Sequence, residues 1–284
     1  MKEKMRATIQ QKMIWLWLIW AIVFSGIIWV LEGGNPRLRW LLIEVNIGIL
    51  AALVLVYPII VSTYQNMKNH VQELITANIE LLEMIGAAIA KRDNETSLHN
   101  YRVATYAIHL AEAVGLPSRQ VAELVKGVFL HDIGNILLKD ELLLKPGQLT
   151  LDEFETIKTH TLIGSELVGQ SSWLAKAGEI IRFHHEKYGG TGYMENLAGK
   201  YIPLNARIFA IVDVFDVLTS KRPYKEEYSF EKAMEILNEG SGTHFDPELL
   251  KIFEGIVKPL YNHLQNIDEV AARTQVHTML KRYF

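Results

Sequence analysis

The 284-residue chain is predicted to be all-α, with two N-terminal transmembrane helices, a helical connector and an α-helical bundle. Three observations predict this class. The first 61 residues are strongly apolar, and the first 40 hold five of the six tryptophans. A short heptad pattern follows, and beyond residue 86 apolar side chains recur at helical spacing, without the long alternation of a half-buried strand.

Residues 1–61 are predicted to form a transmembrane hairpin. Residues 14–31 carry no charge and, at about 1.5 Å per residue, are just long enough to cross a hydrocarbon layer of about 30 Å. A second apolar run covers residues 40–61, interrupted near its start by Glu44 and Asn46. Glu44 lies within a turn of the helix end, where its carboxylate can reach the headgroups; a sensing role is the alternative.

Basic residues flank this hairpin asymmetrically. Four precede the first apolar run and Lys68 follows the second, whereas the connection between the runs offers Arg37 and Arg39. Positive-inside counting therefore predicts that both ends of the hairpin, and the rest of the chain, face the cytoplasm.

The remainder of the chain differs in charge. Residues 1–61 hold 6 basic and 3 acidic side chains of the total 29 and 32, which leaves 23 and 29, a net charge of −6. An acidic domain of this kind is not expected to bind nucleic-acid polymers. Because the chain has no cysteine, disulfides, thiolate zinc sites and a cysteine nucleophile are excluded. Any metal must be held by His, Asp and Glu.

Residues 62–85 are predicted to be a helical connector. Apolar residues alternate at steps of four and three, and one Asn shares the pattern. This arrangement favours a parallel two-stranded coiled coil, and hence a homodimer; the alternative is a single amphipathic helix that packs on its own domain. The a positions are Val71, Asn78 and Ile85, and the d positions are Met67, Leu74 and Leu81.

Residues 86–284 are predicted to form one helical domain with a helical C-terminal tail. Helical spacing is clearest in residues 101–114, 121–130, 151–168 and 230–237. Ser118 and Thr150 are candidate N-caps, and Thr150 has Glu153 three residues on, which is the pattern of a capping box.

Histidines and acids interrupt the apolar segments of this domain. His131 and Asp132 end the apolar run 125–130, His184 and His185 follow another, and Asp213 comes directly after the apolar run 208–212. Ionisable groups beside core helices are costly unless they are paired or bind metal. A shared polynuclear metal site is therefore predicted, with scattered, separately satisfied polar residues as the alternative.

Glu95 and His99 stand four residues apart. On a helix they share one face and could hold one ion together. An exposed side-chain pair is the alternative interpretation.

Residues 86 to about 262 resemble the HD-GYP family, a branch of the HD superfamily of metal-dependent phosphohydrolases. The resemblance implies an HD-type helical bundle that hydrolyses the bacterial second messenger cyclic di-GMP to the linear dinucleotide or to GMP. Together with the predicted hairpin and its charge asymmetry, it places the protein in the bacterial inner membrane with its catalytic domain in the cytoplasm. The matching blocks are Glu95–Arg102, His131–Gly134, Lys158–His160, His184–Glu186, Gly190–Tyr193, Asp213–Asp216, Arg222–Lys225 and Phe245–Pro247.

The resemblance also implies a set of metal ligands. Asp132 is expected to bridge two ions and, with His131, to form the catalytic pair, while Glu95 and His99 match a pair that holds a third ion in some members. Nitrogen and oxygen ligands suit iron or manganese, with zinc possible, so two or three divalent ions are expected. The ligands of the first two ions are His131, Asp132, His160, His184, His185 and Asp213.

Four further residues are implied to bind substrate. Arg222 and Lys225 match phosphate-binding positions, although Arg222 could also be an ordinary surface residue. Tyr193 supplies the tyrosine of the family name, and Asn135 occupies a position next to the His-Asp block.

Three positions depart from the family pattern. Asn135 replaces a lysine and cannot supply its point charge, Gly189 replaces an aspartate, and Met194 replaces a proline. These departures predict reduced activity. They motivate two alternatives: a catalytically weak module that binds cyclic di-GMP or a protein partner, and an HD phosphohydrolase for another nucleotide.

Overall fold

The computed structural model describes residues 20, 23–27, 36–92, 96–221 and 226–284. The chain divides into two compact units, residues 1–72 and 73–284. In the described ranges the regular structure is helical, with no named strand and with isolated bridges pairing Gly189 with Ala198 and Ser241 with Phe245. The predicted all-α class is confirmed for this part of the chain.

The first long helix, α1, runs from Pro36 to Arg92 over 57 residues. It contains the second predicted membrane span, and its portion Arg39–Arg92 includes an 18-residue window of mean hydropathy 2.3 in which no residue is buried. Among the described residues it is the one helix long and apolar enough to cross a membrane. Most of the first predicted span, residues 14–31, lies outside the described residues, so the two-helix hairpin stays a prediction.

The C-terminal part of α1 has two different faces. Ile79, Leu82 and Ile89 are buried in the core of the second unit. Leu74 and Leu81, which are heptad positions, are 64% and 46% exposed. The helix therefore packs on its own domain through one face, as the single-helix alternative predicts, and leaves the heptad positions up to Leu74, together with Leu81, exposed. Asn78 is half-buried, and Ile85 packs against the core.

Beyond α1 the described residues form ten further helices, with short 3-10 helices at 133–137, 175–177 and 199–201. They are α2 (Ser97–Val114), α3 (Ser118–Leu130), α4 (Asp140–Leu143), α5 (Leu151–Lys158), α6 (His160–Gly169), α7 (Gly178–Phe183), α8 (Leu204–Thr219), α9 (Phe230–Glu239), α10 (Pro247–Leu264) and α11 (Glu269–Leu280).

Helix α2 lies at the centre of the second unit and packs against α3, α8, α10 and α11. Its Tyr106 ring meets Phe215 of α8 edge-on at 5.3 Å and Phe253 of α10 at 6.2 Å. Such edge-to-face pairs each add about 0.5–1.5 kcal/mol beyond the burial of their surface. This aromatic cluster holds α8, and with it Asp213, against α2.

The observed helix ends agree only partly with those predicted from the sequence. The Thr150 capping box is confirmed, because the Thr150 hydroxyl accepts the Glu153 N–H and the Glu153 carboxylate accepts the Thr150 N–H. The N-cap assigned to Ser118 is wrong: Ser118 is the first helical residue, and the cap position is Pro117, whose side chain has no donor or acceptor. The stretch 151–168 is divided at Thr159 into α5 and α6.

The C-terminal helix α11 is fastened to α1 within the second unit. Arg273 Nε donates to the Glu83 carboxylate at 3.0 Å, and His277 Nδ1 lies 3.6 Å from the same carboxylate. Glu83 is only 2% exposed, and its ion pair with Arg273 lowers the cost of burying its charge.

The position of His160 depends on a close approach between its backbone and that of Gly134. A Cβ atom on Gly134 would lie 1.9 Å from the His160 carbonyl oxygen, so α6 can pack this closely on the 3-10 helix 133–137 only because position 134 is glycine. We expect Gly134→Ala to lower the free energy of unfolding by about 1–3 kcal/mol, the usual cost of overpacking.

The matched control is Gly255→Ala in α10, where a new Cβ meets nothing within 4 Å. It should raise the free energy of unfolding by about 0.4–1 kcal/mol. Urea denaturation of the full chain in detergent, followed by circular dichroism, measures both. Equal stability of the two variants would contradict the close approach.

Candidate metal centre

The structure brings seven of the eight predicted ligands together in two neighbouring groups. Within each group, one nitrogen or oxygen atom per residue lies within 4.8 Å of the others. Glu95 lies outside the described residues. The first group is Asp132, His160, His184 and His185, and the second is His99, His131 and Asp213.

Asp132 lies between the two groups. Its Oδ1 is 3.2 Å from His160 Nε2 and 3.7 Å from His184 Nε2. Its Oδ2 is 3.1 Å from His131 Nε2. The two oxygens therefore face different groups, which is the arrangement of a carboxylate that can bridge two cations.

Three histidines are oriented in the same way, each just beyond the C-terminal end of a helix. In each case Nδ1 donates to the carbonyl three residues earlier, one of the carbonyls that a helix end leaves without a helical partner. Because a carbonyl can only accept, the proton is on Nδ1, and Nε2 faces the cluster. The bonds are His131 to Val128 (2.8 Å), His160 to Ile157 (2.7 Å) and His184 to Ile181 (2.9 Å).

A buried carboxylate orients the fourth histidine. His99 Nδ1 donates to Asp216 Oδ2 at 2.8 Å, and its Nε2 lies 3.3 Å from Asp213 Oδ1. Arg102 holds Asp216 through two hydrogen bonds, Nε to Oδ1 at 2.6 Å and Nη2 to Oδ2 at 2.9 Å. A carboxylate behind a histidine fixes its tautomer and ring orientation.

Sequence reasoning assigned no role to Asp216 or Arg102. A signal was present, because Asp213 and Asp216 are three residues apart on α8, and His99 and Arg102 are three apart on α2. Residues at this spacing share a helix face.

Two histidines of the first group, His184 and His185, are held neutral. Burial, followed by the neighbouring His185, moves the pKa of His184 well below its ordinary value. Burial and then His160 lower the pKa of His185 to about 4. Neutral imidazole is the form that binds metal, so these side chains need lose no proton to accept a cation.

The second group attracts positive charge. Burial by itself would lower the pKa of His99, but hydrogen bonds and attraction from Asp213 and Asp216 raise it to about 10. Burial by itself would also lower the pKa of His131, but attraction and a hydrogen bond from Asp132 outweigh it and raise this pKa to about 9. Neutral imidazoles, carboxylates and a preference for positive charge together fit hard or borderline divalent cations.

A cavity of about 210 Å³ opens onto both groups. It is smaller than the roughly 300–1,000 Å³ of common ligand pockets. Its lining comprises Ile89, Ala90, His99, Asn100, Phe129, His131, Asp132, His184, His185, Asp213 and Val217.

The predicted substrate-binding residues are placed differently. Tyr193 stacks on His185, with ring centroids 4.7 Å apart. Burial, then the charge of Asp132, raises the pKa of its hydroxyl, which therefore keeps its proton. Asn135 is 6% exposed in the 3-10 helix, where its carbonyl accepts from Arg92. Arg222 and Lys225 lie outside the described residues, and all four roles stay predictions.

The loop after His185 is ordered by a carboxylate that sequence reasoning overlooked. Glu186 is 2% exposed and accepts the N–H groups of Glu195 at 2.7 Å and Leu197 at 3.1 Å. At the departure from the family pattern, the Gly189 N–H donates to Thr243 O at 2.7 Å. The loop thus has an ordering carboxylate although position 189 lacks one.

Comparisons with known proteins agree with this arrangement. The family model for the HD domain matches residues 55–249, well over half of the chain. A cyclic di-GMP phosphodiesterase of Vibrio cholerae is 40% identical over 64% of this chain and 40% of its own length. A 3'3'-cGAMP-specific phosphodiesterase 2 of the same organism is 37% identical over 67% of this chain and 37% of its own. The chain thus spans less than half the length of these two curated relatives.

A solved structure supports the fold. The crystal structure of a cyclic GMP-AMP-specific phosphodiesterase of Vibrio cholerae superposes with a TM-score of 0.51 and 17% identity, covering 72% of this chain and 59% of the other. At this identity the similarity concerns the fold alone. With the family model matched across most of its length, the chain belongs to the HD domain family.

Proposed function

We propose that this chain hydrolyses the phosphodiester bonds of cyclic di-GMP, to the linear dinucleotide, to GMP or to both. The observation that carries the proposal is Asp132, whose two oxygens face two separate groups of imidazoles. The HD domain is a family of metal-dependent hydrolases, and relatives of about 40% identity are named cyclic di-GMP phosphodiesterases. Both facts support the proposal.

The two groups would each hold one divalent cation, iron or manganese, with Asp132 shared between them. Glu95 and His99 would contribute to a third. When bound, such cations lower the pKa of water and neutralise charge on phosphoryl oxygens. The ligands proposed are Asp132, His160, His184 and His185 for the first ion and His131, Asp213 and Asp132 for the second. His99 has one free nitrogen, Nε2, so it would complete the second site in a two-ion centre or join Glu95 in a three-ion centre.

The residues of the chain supply orientation and protons. The Nδ1 hydrogen bonds hold the imidazoles in place before substrate arrives, so no reorganisation is needed during the reaction. The Tyr193 hydroxyl keeps its proton and can donate it in a hydrogen bond to a substrate oxygen. Arg222 and Lys225 would bind the phosphates, and Asn135 would add a neutral polar contact in place of a lysine.

A second substrate deserves a direct comparison. A relative of 37% identity is named a 3'3'-cGAMP-specific phosphodiesterase, so 3'3'-cGAMP is the alternative cyclic dinucleotide. Both substrates carry the same phosphodiester linkages between purine nucleosides, and the metal centre itself does not distinguish them.

The experiment uses the full chain in detergent, purified without oxygen and loaded with manganese or iron. The chain is given cyclic di-GMP and 3'3'-cGAMP in turn, and we expect it to release the linear dinucleotide or the mononucleotides. Preference for 3'3'-cGAMP would change the substrate and keep the chemistry. Tight binding without product would instead favour a signalling module that binds the dinucleotide, as the departures at Asn135, Gly189 and Met194 suggest.

We further propose that the chain is anchored in the bacterial inner membrane by two N-terminal helices, with the HD domain in the cytoplasm, and that it forms a homodimer through the connector. The apolar stretch of α1 supports the anchor. The exposed heptad side chains Leu74 and Leu81 support the dimer, because a second copy would cover them.

Cysteine cross-linking tests the dimer, since the chain has no cysteine of its own. In a parallel coil the two copies of Asn78 face each other at an a position. We expect Asn78→Cys to give a disulfide-linked dimer in oxidised membranes, and Glu80→Cys, which places its cysteine outside the a and d positions, to give little. Non-reducing gel electrophoresis measures both; equal cross-linking would contradict the parallel coil.

A further inference from the structure

A row of rings leads outward from the metal centre. Tyr193 stacks on His185 at 4.7 Å, with the ring planes 30° apart. Phe154 of α5 meets Tyr193 edge-on, with centroids 6.0 Å apart and planes at 79°. Lys158 Nζ lies 4.8 Å from the centre of the Phe154 ring and 5.4 Å from that of Tyr193. We call Phe154, Lys158 and Tyr193 the platform.

Within the platform, the exposed ring of Phe154 is held in place by its neighbours. Phe154 is 41% exposed, and a single exposed apolar side chain is ordinary. Here, however, the ring is held by contacts with Tyr193 and Lys158, and that tyrosine touches a residue of the metal centre. The exposed surface of Phe154 is therefore held in place two ring contacts away from His185.

The cavity explains why the substrate needs such a surface. Its volume of about 210 Å³ lies below the roughly 300–1,000 Å³ of pockets that enclose whole ligands. When one phosphodiester is at the cations, the purine bases must lie outside the cavity. Aromatic side chains are the usual stacking partners of bases held outside a helix, and a nearby cation adds to the attraction.

We propose that the platform is a base-binding subsite, in which one purine base of the substrate stacks on the exposed surface of Phe154 beside the Lys158 ammonium. The inference rests on the proposed function, because it requires a cyclic purine dinucleotide at the metal centre. Lys158 donates to Glu155 at 2.6 Å and remains close to both rings.

The subsite governs affinity for nucleotides more than the identity of the base. Stacking tolerates any base because every base has a π-face. The platform therefore favours cyclic purine dinucleotides over small phosphodiesters without a base, and it does not discriminate guanine from adenine.

The test is Phe154→Ala in the full chain. We expect a rise of roughly 5- to 100-fold in the KM for cyclic di-GMP and in the Kd for its phosphorothioate analogue, the usual range for losing one stacked base. The fall in kcat/KM should be at least about fivefold larger for cyclic di-GMP than for bis(p-nitrophenyl) phosphate, which has no base. Phe154→Trp, which keeps an aromatic face, should restore the Kd.

The matched control is Leu151→Ala, which removes an apolar side chain that is 85% exposed at the start of the same helix. It should leave both constants at the parent values. An unchanged Kd in Phe154→Ala, or equal losses with the two substrates, would overturn the subsite while leaving the proposed function intact. A parent chain that hydrolyses bis(p-nitrophenyl) phosphate but neither binds nor hydrolyses any cyclic dinucleotide would overturn the proposed function, and the subsite with it.

Discussion

Asp132→Asn is expected to lower the affinity for divalent cations by more than about 100-fold and to reduce phosphodiesterase activity to background. Asp132 is within 3.7 Å of the Nε2 atoms of His131, His160 and His184. The Asn side chain keeps the shape of the Asp132 carboxylate but removes its negative charge. Its NH₂ would point at one of the two ligand clusters, where it cannot bind a cation. Loss of a partner that only orients a ligand already costs about 10- to 100-fold in metal affinity, so loss of a shared ligand costs more.

Elemental analysis of protein purified without oxygen measures the first effect, and product formation from cyclic di-GMP measures the second. Asp268→Asn is the matched control. Asp268 caps α11 from an exposed position, and Asn caps helices as well as Asp does. A metal content in Asp132→Asn equal to that of the parent would refute the shared-ligand assignment.

Asp216→Asn should weaken the fold and the metal centre together. Asp216 is 1% exposed and accepts two hydrogen bonds from Arg102 and one from His99. Removing the charge leaves the largely buried Arg102 guanidinium without its carboxylate, and breaking a buried ion pair in this way costs about 3–5 kcal/mol. Metal affinity should fall by about 10- to 100-fold, since His99 loses the carboxylate that orients it.

A double variant separates the two effects. Replacing the pair with apolar residues, Asp216→Leu with Arg102→Met, should recover much of the free energy of unfolding, as it does for other buried ion pairs. It should not recover metal affinity, because His99 still lacks its partner. Urea denaturation of metal-free protein and a separate manganese titration give the two quantities. Parent-like metal affinity in Asp216→Asn would show that His99 is oriented by other contacts.

Part of the ligand set could be predicted from the residues themselves because its members interrupt apolar helices, whereas His160 was implied only by the family resemblance. Asp213 directly follows residues 208–212, and His131 with Asp132 ends the run 125–130; burial without a partner would be costly at both places. The division into two groups could not be predicted. It depends on which face of α2 meets α8, and the spacing of His99 along the chain carries no information about its distance from Asp213.

The same distinction holds for the fold. The capping box at Thr150 is local, and four residues contain all of its information. The close approach of Gly134 to His160 joins two segments whose separation only the packed structure sets. In α1 the buried residues Ile79, Leu82 and Ile89 lie beside the heptad positions, and the local spacing does not say which of the two sets packs on the domain, because that depends on the folded structure.

The placing of His131, His160 and His184 just past helix ends has a consequence for how the centre is assembled. At His131 and His184 the negative C-terminal ends of α3 and α7 adjoin the centre, and these two backbone ends favour cations there. His160 differs, because it is also the first residue of α6. The hydrogen bonds that close off those ends are made by the ligands. A substitution at any of the three would therefore fray a helix terminus as well as remove a donor atom, and metal retention and helix integrity should decline in step.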